Sequence, residues 1–156
     1  MDARKYAVSY LNAGPRTEKQ VRDYLRKKGC GREETEEAVK ELKDYGYIDD
    51  ENYCRMYFEY AFDRKRGIER IKRELREKGV SSEIIEMALE SAEDVPDQYE
   101  EAKALALQAA AGTDIGGLSF EERRRLAARA GRRLAYRGFS QDIVYRVIKE
   151  IYGRTV

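Results

Sequence analysis

The sequence predicts an all-α protein, an elongated array of three tandem three-helix, helix-turn-helix-like repeats. Three observations predict it. Apolar residues recur at three- and four-residue spacing, and no stretch shows sustained two-residue alternation, so no strand is expected. Glycines and capping residues end one periodic segment and open the next. Three segments also superimpose without a gap: VRDYLRKKGCGREETEEAVKEL from Val21, IKRELREKGVSSEIIEMALESA from Ile71 and AGRRLAYRGFSQDIVYRVIKEI from Ala130. Leu25, Leu75 and Leu134 correspond, as do Gly29, Gly79 and Gly138, each followed by Cys30, Val80 or Phe139. A helix ending in a glycine with positive φ, an apolar plug and a returning amphipathic helix form one unit, and units this small gain by docking to their neighbours. The expected repeats are 1–47, 48–97 and 98–156. A single nine-helix bundle would suit the same periodicity, but the gapless match favours the array.

In the first repeat, Ala3, Ala7, Tyr10 and Leu11 share a face between Asp2 and Ala13, and Gly14-Pro15 breaks that helix. Thr17 with Gln20 fits a capping box for the next, whose stripe is Val21 and Leu25 and whose stop is Gly29. A third helix, from about Glu33 to Tyr45, turns Thr35, Ala38, Val39 and Leu42 inward and ends at Gly46. In the central repeat, Asp49 or Asp50 caps a helix crowded with Tyr53, Tyr57, Phe58, Tyr60 and Phe62. Gly67 marks the break before a basic helix that runs to Gly79, and Ser81 or Ser82 caps the helix carrying Ile84, Ile85, Ala88, Leu89 and Ala92. The third repeat opens near Gln98 with Ala102, Leu105, Ala106 and Ala109. It continues through a Gly-containing loop to a long helix capped by Ser119 and Glu122. It closes with a Ser140-capped helix facing Ile143, Val144, Val147, Ile148 and Ile151 to the core.

Composition excludes several chemistries. There is no histidine, which removes Ser-His-Asp and Cys-His activation and the common zinc sites. No P-loop pattern occurs. Two cysteines, Cys30 and Cys54, make no disulfide framework, which suits a reducing, cytoplasmic setting. No apolar run reaches the ~20 residues a membrane helix needs, and the first residues lack the apolar core of a signal peptide. No cofactor or metal is expected. The formal net charge of +1 is not that of a uniformly basic nucleic-acid binder, so any electrostatic site is local. Residues 98–156 hold 11 basic against 7 acidic side chains.

Two local candidates follow. In the centre, Tyr57 and Tyr60 lead into Arg64, Lys65, Arg66, Arg70 and Arg73; core packing of the aromatics and a solvated, salt-bridged helix are the plain readings of the same residues. In the third repeat, Arg123, Arg124, Arg125, Arg129, Arg132, Arg133 and Arg137 face only Glu121 and Glu122. Of these, Arg125, Arg129, Arg132 and Arg133 should share a face. Arginine suits phosphate and bidentate carboxylate contacts.

Gly46-Tyr47-Ile48-Asp49-Asp50…Tyr53, then Arg64…Gly67…Ile71…Glu74-Leu75…Lys78-Gly79-Val80, resembles the central signature of the RecX family. Leu134…Arg137-Gly138-Phe139-Ser140…Ile143…Val147-Ile148 is similar to its C-terminal motif, and Ala7…Tyr10-Leu11…Arg16-Thr17-Glu18…Leu25…Lys28-Gly29 to its opening one. Cys54 stands where the family pattern has alanine. The resemblance covers nearly the whole chain. It implies a non-enzymatic regulator of the bacterial recombinase RecA, made of tandem three-helix repeats; a monomer is expected. Such a protein binds RecA, lies in the groove of the RecA–DNA filament and damps ATP hydrolysis, strand exchange and RecA-assisted cleavage of the SOS repressor. Direct, weak DNA contact is also implied. A DNA-binding protein of helix-turn-helix-like units acting without RecA is the alternative, and a carboxylate-dependent hydrolase has no motif behind it.

Overall fold

A computed structural model describes residues 2–153. Among these residues nine α-helices run in the order α1 (Ala3–Asn12), α2 (Glu18–Lys27), α3 (Arg32–Asp44), α4 (Asp50–Asp63), α5 (Ile68–Glu77), α6 (Ser82–Ser91), α7 (Gln98–Ala109), α8 (Phe120–Arg137) and α9 (Gln141–Tyr152). A 3₁₀ turn, Ile115–Gly117, lies in the loop before α8, and no strand occurs among the described residues. The fold is all-α and built of tandem three-helix repeats.

Local chemistry sets the helix ends. The Asp2, Thr17, Ser81, Asp97, Ser119 and Ser140 side chains each accept a backbone N–H from the first turn of the helix they precede. Thr17–Gln20 and Ser119–Glu122 complete capping boxes, in which the third residue reaches back to the cap N–H. Asp49 serves α4, accepting from Asn52 N at 3.0 Å, which frees Asp50 to accept from Glu18 N at 2.9 Å at the start of α2.

The three equivalent glycines close their helices identically. Gly29, Gly79 and Gly138 have φ of 85°, 94° and 102°. Their N–H groups reach Arg26, Arg76 and Ala135, and the following Cys30, Val80 and Phe139 N–H groups reach Leu25, Leu75 and Leu134. The same pair of bonds ends α4, but there the left-handed residue is Lys65, φ 61°. Gly67 is therefore not the residue that turns the chain between α4 and α5, as its composition suggests. It has another task, described below.

The chain forms two compact units: residues 1–59 with 72–92, and residues 60–71 with 93–156. In the first, α1, α2 and α3 pack together around Ala3, Ala7, Val21, Leu25, Ala38, Val39, Leu42 and Ile48. In the second, α7, α8 and α9 enclose Ala102, Ala106, Leu134, Phe139 and Val147. Of the α7 residues Ala102, Leu105, Ala106 and Ala109, the last is exposed. The aromatic helix α4 turns Cys54, Phe58 and Ala61 fully inward, leaves Tyr53, Tyr57 and Phe62 half-buried and exposes Tyr60. Its core stripe thus follows the small residues and one phenylalanine, because phenol groups keep an edge in water. Burial of Phe58 contributes roughly 2–3 kcal/mol.

Candidate protein and nucleic-acid interface

The sequence candidates divide between the units. Tyr57 lies in the first, stacked on Tyr53 with ring centroids 6.3 Å apart and Lys78 Nζ 5.5 Å from its ring. Arg73, exposed, lies there as well. All the other candidate residues lie in the second unit, and its backbone brings the central link and the third-repeat helix together.

The contact is built from two helix ends. The last turn of α8 meets the first turn of α5: Gly67 N–H donates to Arg137 O at 2.8 Å and Glu69 N–H to Gly138 O at 3.0 Å. A Cβ at Gly67 would fall inside the backbone of Gly138 and Phe139, so only glycine fits there. The Arg137 guanidinium then reaches the carbonyls of Arg64 and Lys65 at 2.8 and 3.0 Å. These carbonyls follow the end of α4, where the helix dipole is negative, so a cation is doubly favoured.

Around this junction cations lie on aromatic rings. Arg64 sits over Tyr60 at 3.8 Å, with Arg66 5.5 Å from the same ring, and Arg70 is 5.5 Å from the ring of Tyr136. Lys65 pairs with Glu101 at 3.6 Å. Tyr136 is 74% exposed and Tyr60 44%, so the rings hold the guanidinium groups at the surface. The sequence reading missed Tyr136. The available signal was its place one turn beyond Arg132 and Arg133 on the basic face.

Along α8, Arg125, Arg129, Arg132 and Arg133 are all exposed, as their spacing predicts. Neither they nor Arg124 forms an ion pair among the described residues. Arg123 is half-buried, 5.9 Å from the Phe120 ring. Arg137 differs from the others in this set: its Nη2 donates to the two carbonyls at the end of α4, which ties it to the scaffold.

The first unit holds a second aromatic–cation group that the sequence reading did not single out. Tyr10 and Tyr24 stack at 4.1 Å, Arg16 lies 4.3 Å from the Tyr10 ring, and Lys28 reaches Tyr24 and Tyr6 at 5.5 and 5.8 Å. Tyr6 and Tyr10, and Tyr24 and Lys28, stand four residues apart, the only trace of it in the sequence. Neither group places a nucleophile beside a base. Burial pushes the Cys54 thiol up to about 12, with the Asp50 and Glu51 charges adding to it, so this cysteine is inert.

The fold and these surfaces define a class: helical-repeat proteins that present aromatic-backed, arginine-rich faces. Models of two RecX domains match the chain, that of the first three-helix domain at residues 3–42 and that of the second at 49–89. The regulatory protein RecX of Streptomyces lividans is 32% identical over 151 residues, covering 95% of this chain and 76% of that protein. That of Lactobacillus johnsonii is 29% identical over 150 residues, 96% of this chain and 53% of the relative. The crystal structure of RecX from Lactobacillus salivarius superimposes with a TM-score of 0.79 at 27% identity, over 96% of this chain and 94% of that one. The chain belongs to the RecX family of regulatory proteins. It spans about half the length of the first curated relatives it matches. No described helix is long and apolar enough to cross a membrane.

Proposed function

We propose that the protein binds RecA and its filament on DNA, in the cytoplasm, and restrains the filament's ATP hydrolysis, strand exchange and assistance to SOS-repressor cleavage. Membership of the RecX family carries this reading. The guanidinium groups of Arg64, Arg66 and Arg70, backed by the rings of Tyr60 and Tyr136, support it, since cations held on rings lose little freedom when they meet a carboxylate or phosphate. The protein acts as a monomeric, non-enzymatic regulator without a cofactor. Its repeats divide at 1–47, 48–97 and 98–156, each supplying one three-helix unit.

RecA ATPase on single-stranded DNA, with this protein added below stoichiometry, tests the reading directly. Progressive inhibition is expected; no inhibition at any ratio would overturn it. Reversing charge at Arg64, Arg66 and Arg70 should weaken inhibition with the helical content unchanged. Unaltered inhibition would remove this face from the contact.

A second reading has its own observation: Arg125, Arg129, Arg132 and Arg133 lie exposed on one helix face without acidic partners among the described residues. Guanidinium groups so spaced suit DNA phosphates. Direct contact of this kind predicts RecA-independent binding to single-stranded DNA that weakens steeply with salt, through counterion release. Binding that is salt-insensitive or absent would discard it.

A further inference from the structure

The seam between the second and third helices is closed differently in the three repeats. In the first, Arg22 on α2 pairs across it with Glu36 on α3 at 3.0 Å. In the second, Lys72 on α5 pairs with Glu86 on α6 at 2.7 Å. The gapless superposition makes these the same two positions, and in the third repeat they are Gly131 and Tyr145. The neighbouring turns follow suit: Lys19 and Glu69 give way to Ala128, and Arg26 and Arg76 to Ala135.

The consequence is a groove between α8 and α9 of about 640 Å³, floored by Ala128, Gly131, Ala135, Val144 and Ile148. Val144 is only half-buried, whereas its counterparts Thr35 and Ile85 are buried. A Cβ at Gly131 would meet Val144 and Ile148 at ordinary contact distances of 3.6 and 3.8 Å, so nothing in the packing of these helices demands glycine there. A mid-helix glycine weakens α8 by about 1 kcal/mol relative to alanine, and here it keeps the groove open. Tyr145, 65% exposed, stands as an aromatic wall. Arg124 and Lys149 provide the charge of the lining, and no carboxylate among the described residues lines it.

We propose that this groove is a docking site for an acidic amphipathic helix of a partner protein. The volume and apolar floor suit the i, i+3, i+4 side chains of one helix face, and Arg124 and Lys149 select a partner whose flanking residues are carboxylates. This goes beyond the RecA reading and does not rest on it.

The test uses the full chain and two fluorescein-labelled peptides of about 16 residues, long enough for several helical turns. Each has leucine on one helical face; one carries glutamate elsewhere and its twin lysine. Fluorescence anisotropy should show binding of the acidic peptide and not of its twin. The double variant G131R/Y145E, which installs the pair that closes the first repeat, should weaken that binding at least tenfold. R124E/K149E should transfer preference to the lysine peptide, and this second variant decides the matter if circular dichroism shows that the first does not fold. Equal binding of both peptides, no binding of the acidic one, or an unchanged preference in R124E/K149E would overturn the proposal. So would concentration-dependent dimerisation in sedimentation velocity that G131R/Y145E abolishes, because a second copy would then be the occupant.

Discussion

Two junctions in this molecule use equivalent positions and different chemistry. In the first unit, the end of α5 meets the start of α2: the buried Thr17 hydroxyl donates to the carbonyl of Lys78 at 2.7 Å, beside Gly79, where a Cβ would strike Lys19. In the second, the end of α8 meets the start of α5: the Gly67 N–H donates to the carbonyl of Arg137, beside Gly138, where a Cβ would strike Arg70. Thr17 and Gly67 are equivalent in the repeat, as are Lys78 and Arg137. One junction satisfies the carbonyl with a side chain. The other brings two backbones together and adds a guanidinium that reaches the end of α4. A repeat can therefore keep its docking geometry while changing the group that makes the hydrogen bond.

The comparison can be broken at its tightest point. Gly67→Ala forces a methyl group into the Gly138 backbone and should destabilise the protein by about 3 kcal/mol or more. Urea unfolding followed by circular dichroism measures it. At the equivalent site, Thr17→Val leaves the Lys78 carbonyl without its donor and removes a helix cap, an expected loss of about 2 kcal/mol, while Thr17→Ser should recover most of it. A larger loss at Thr17 than at Gly67 would reverse the ranking of the two junctions.

Smaller changes sharpen the contrast. Arg137→Ala should cost about 1–2 kcal/mol through its two carbonyl contacts. Among the arginines of α8 it should be the one whose loss shows in thermal unfolding; equal effects from Arg125→Ala or Arg129→Ala would deny it a scaffold role. Lys65→Gly relieves a left-handed non-glycine residue and should stabilise by up to about 1 kcal/mol, provided the Glu101 pair contributes little, as exposed pairs do.

The smallest effect is a dependence on pH in the first unit. Burial pushes the Glu18 carboxyl up, but hydrogen bonds from Lys43 and Arg22 outweigh it and hold the group below its ordinary value of 4.5. A lowered carboxylate contributes stability that is present above the unfolded value and lost as pH falls through the folded one. Asp50 is shifted the other way, chiefly by burial, and its contribution fades as pH rises through its folded value. Glu18→Gln should therefore flatten the decline of melting temperature below pH 4.5, and an unchanged slope would assign that decline to other carboxylates.

Much of this was legible in the residues. The glycine closures at Gly29, Gly79 and Gly138, the Thr17 and Ser119 capping boxes and the inward face Thr35, Ala38, Val39, Leu42 are set by interactions within a few residues, which spacing reports. The exposed arginine face of α8 was readable for the same reason. The tie of Arg137 to the end of α4 was not legible, because it depends on carbonyls more than seventy positions away. Tyr136 and the stack of Tyr10, Tyr24 and Arg16 were missed because side chains from different helices meet only after the chain has folded.

By itself the sequence determined the helical class, the repeat and the helix ends, because backbone hydrogen bonding and φ preference are local. Tertiary structure alone decided what those ends touch. Gly67 reads as a break and is a docking point; Lys65 reads as a surface cation and is the turning residue. Gly131 and Tyr145 stand where the other repeats carry an ion pair, and they open a groove, since whether a seam is closed depends on which two side chains face each other across it.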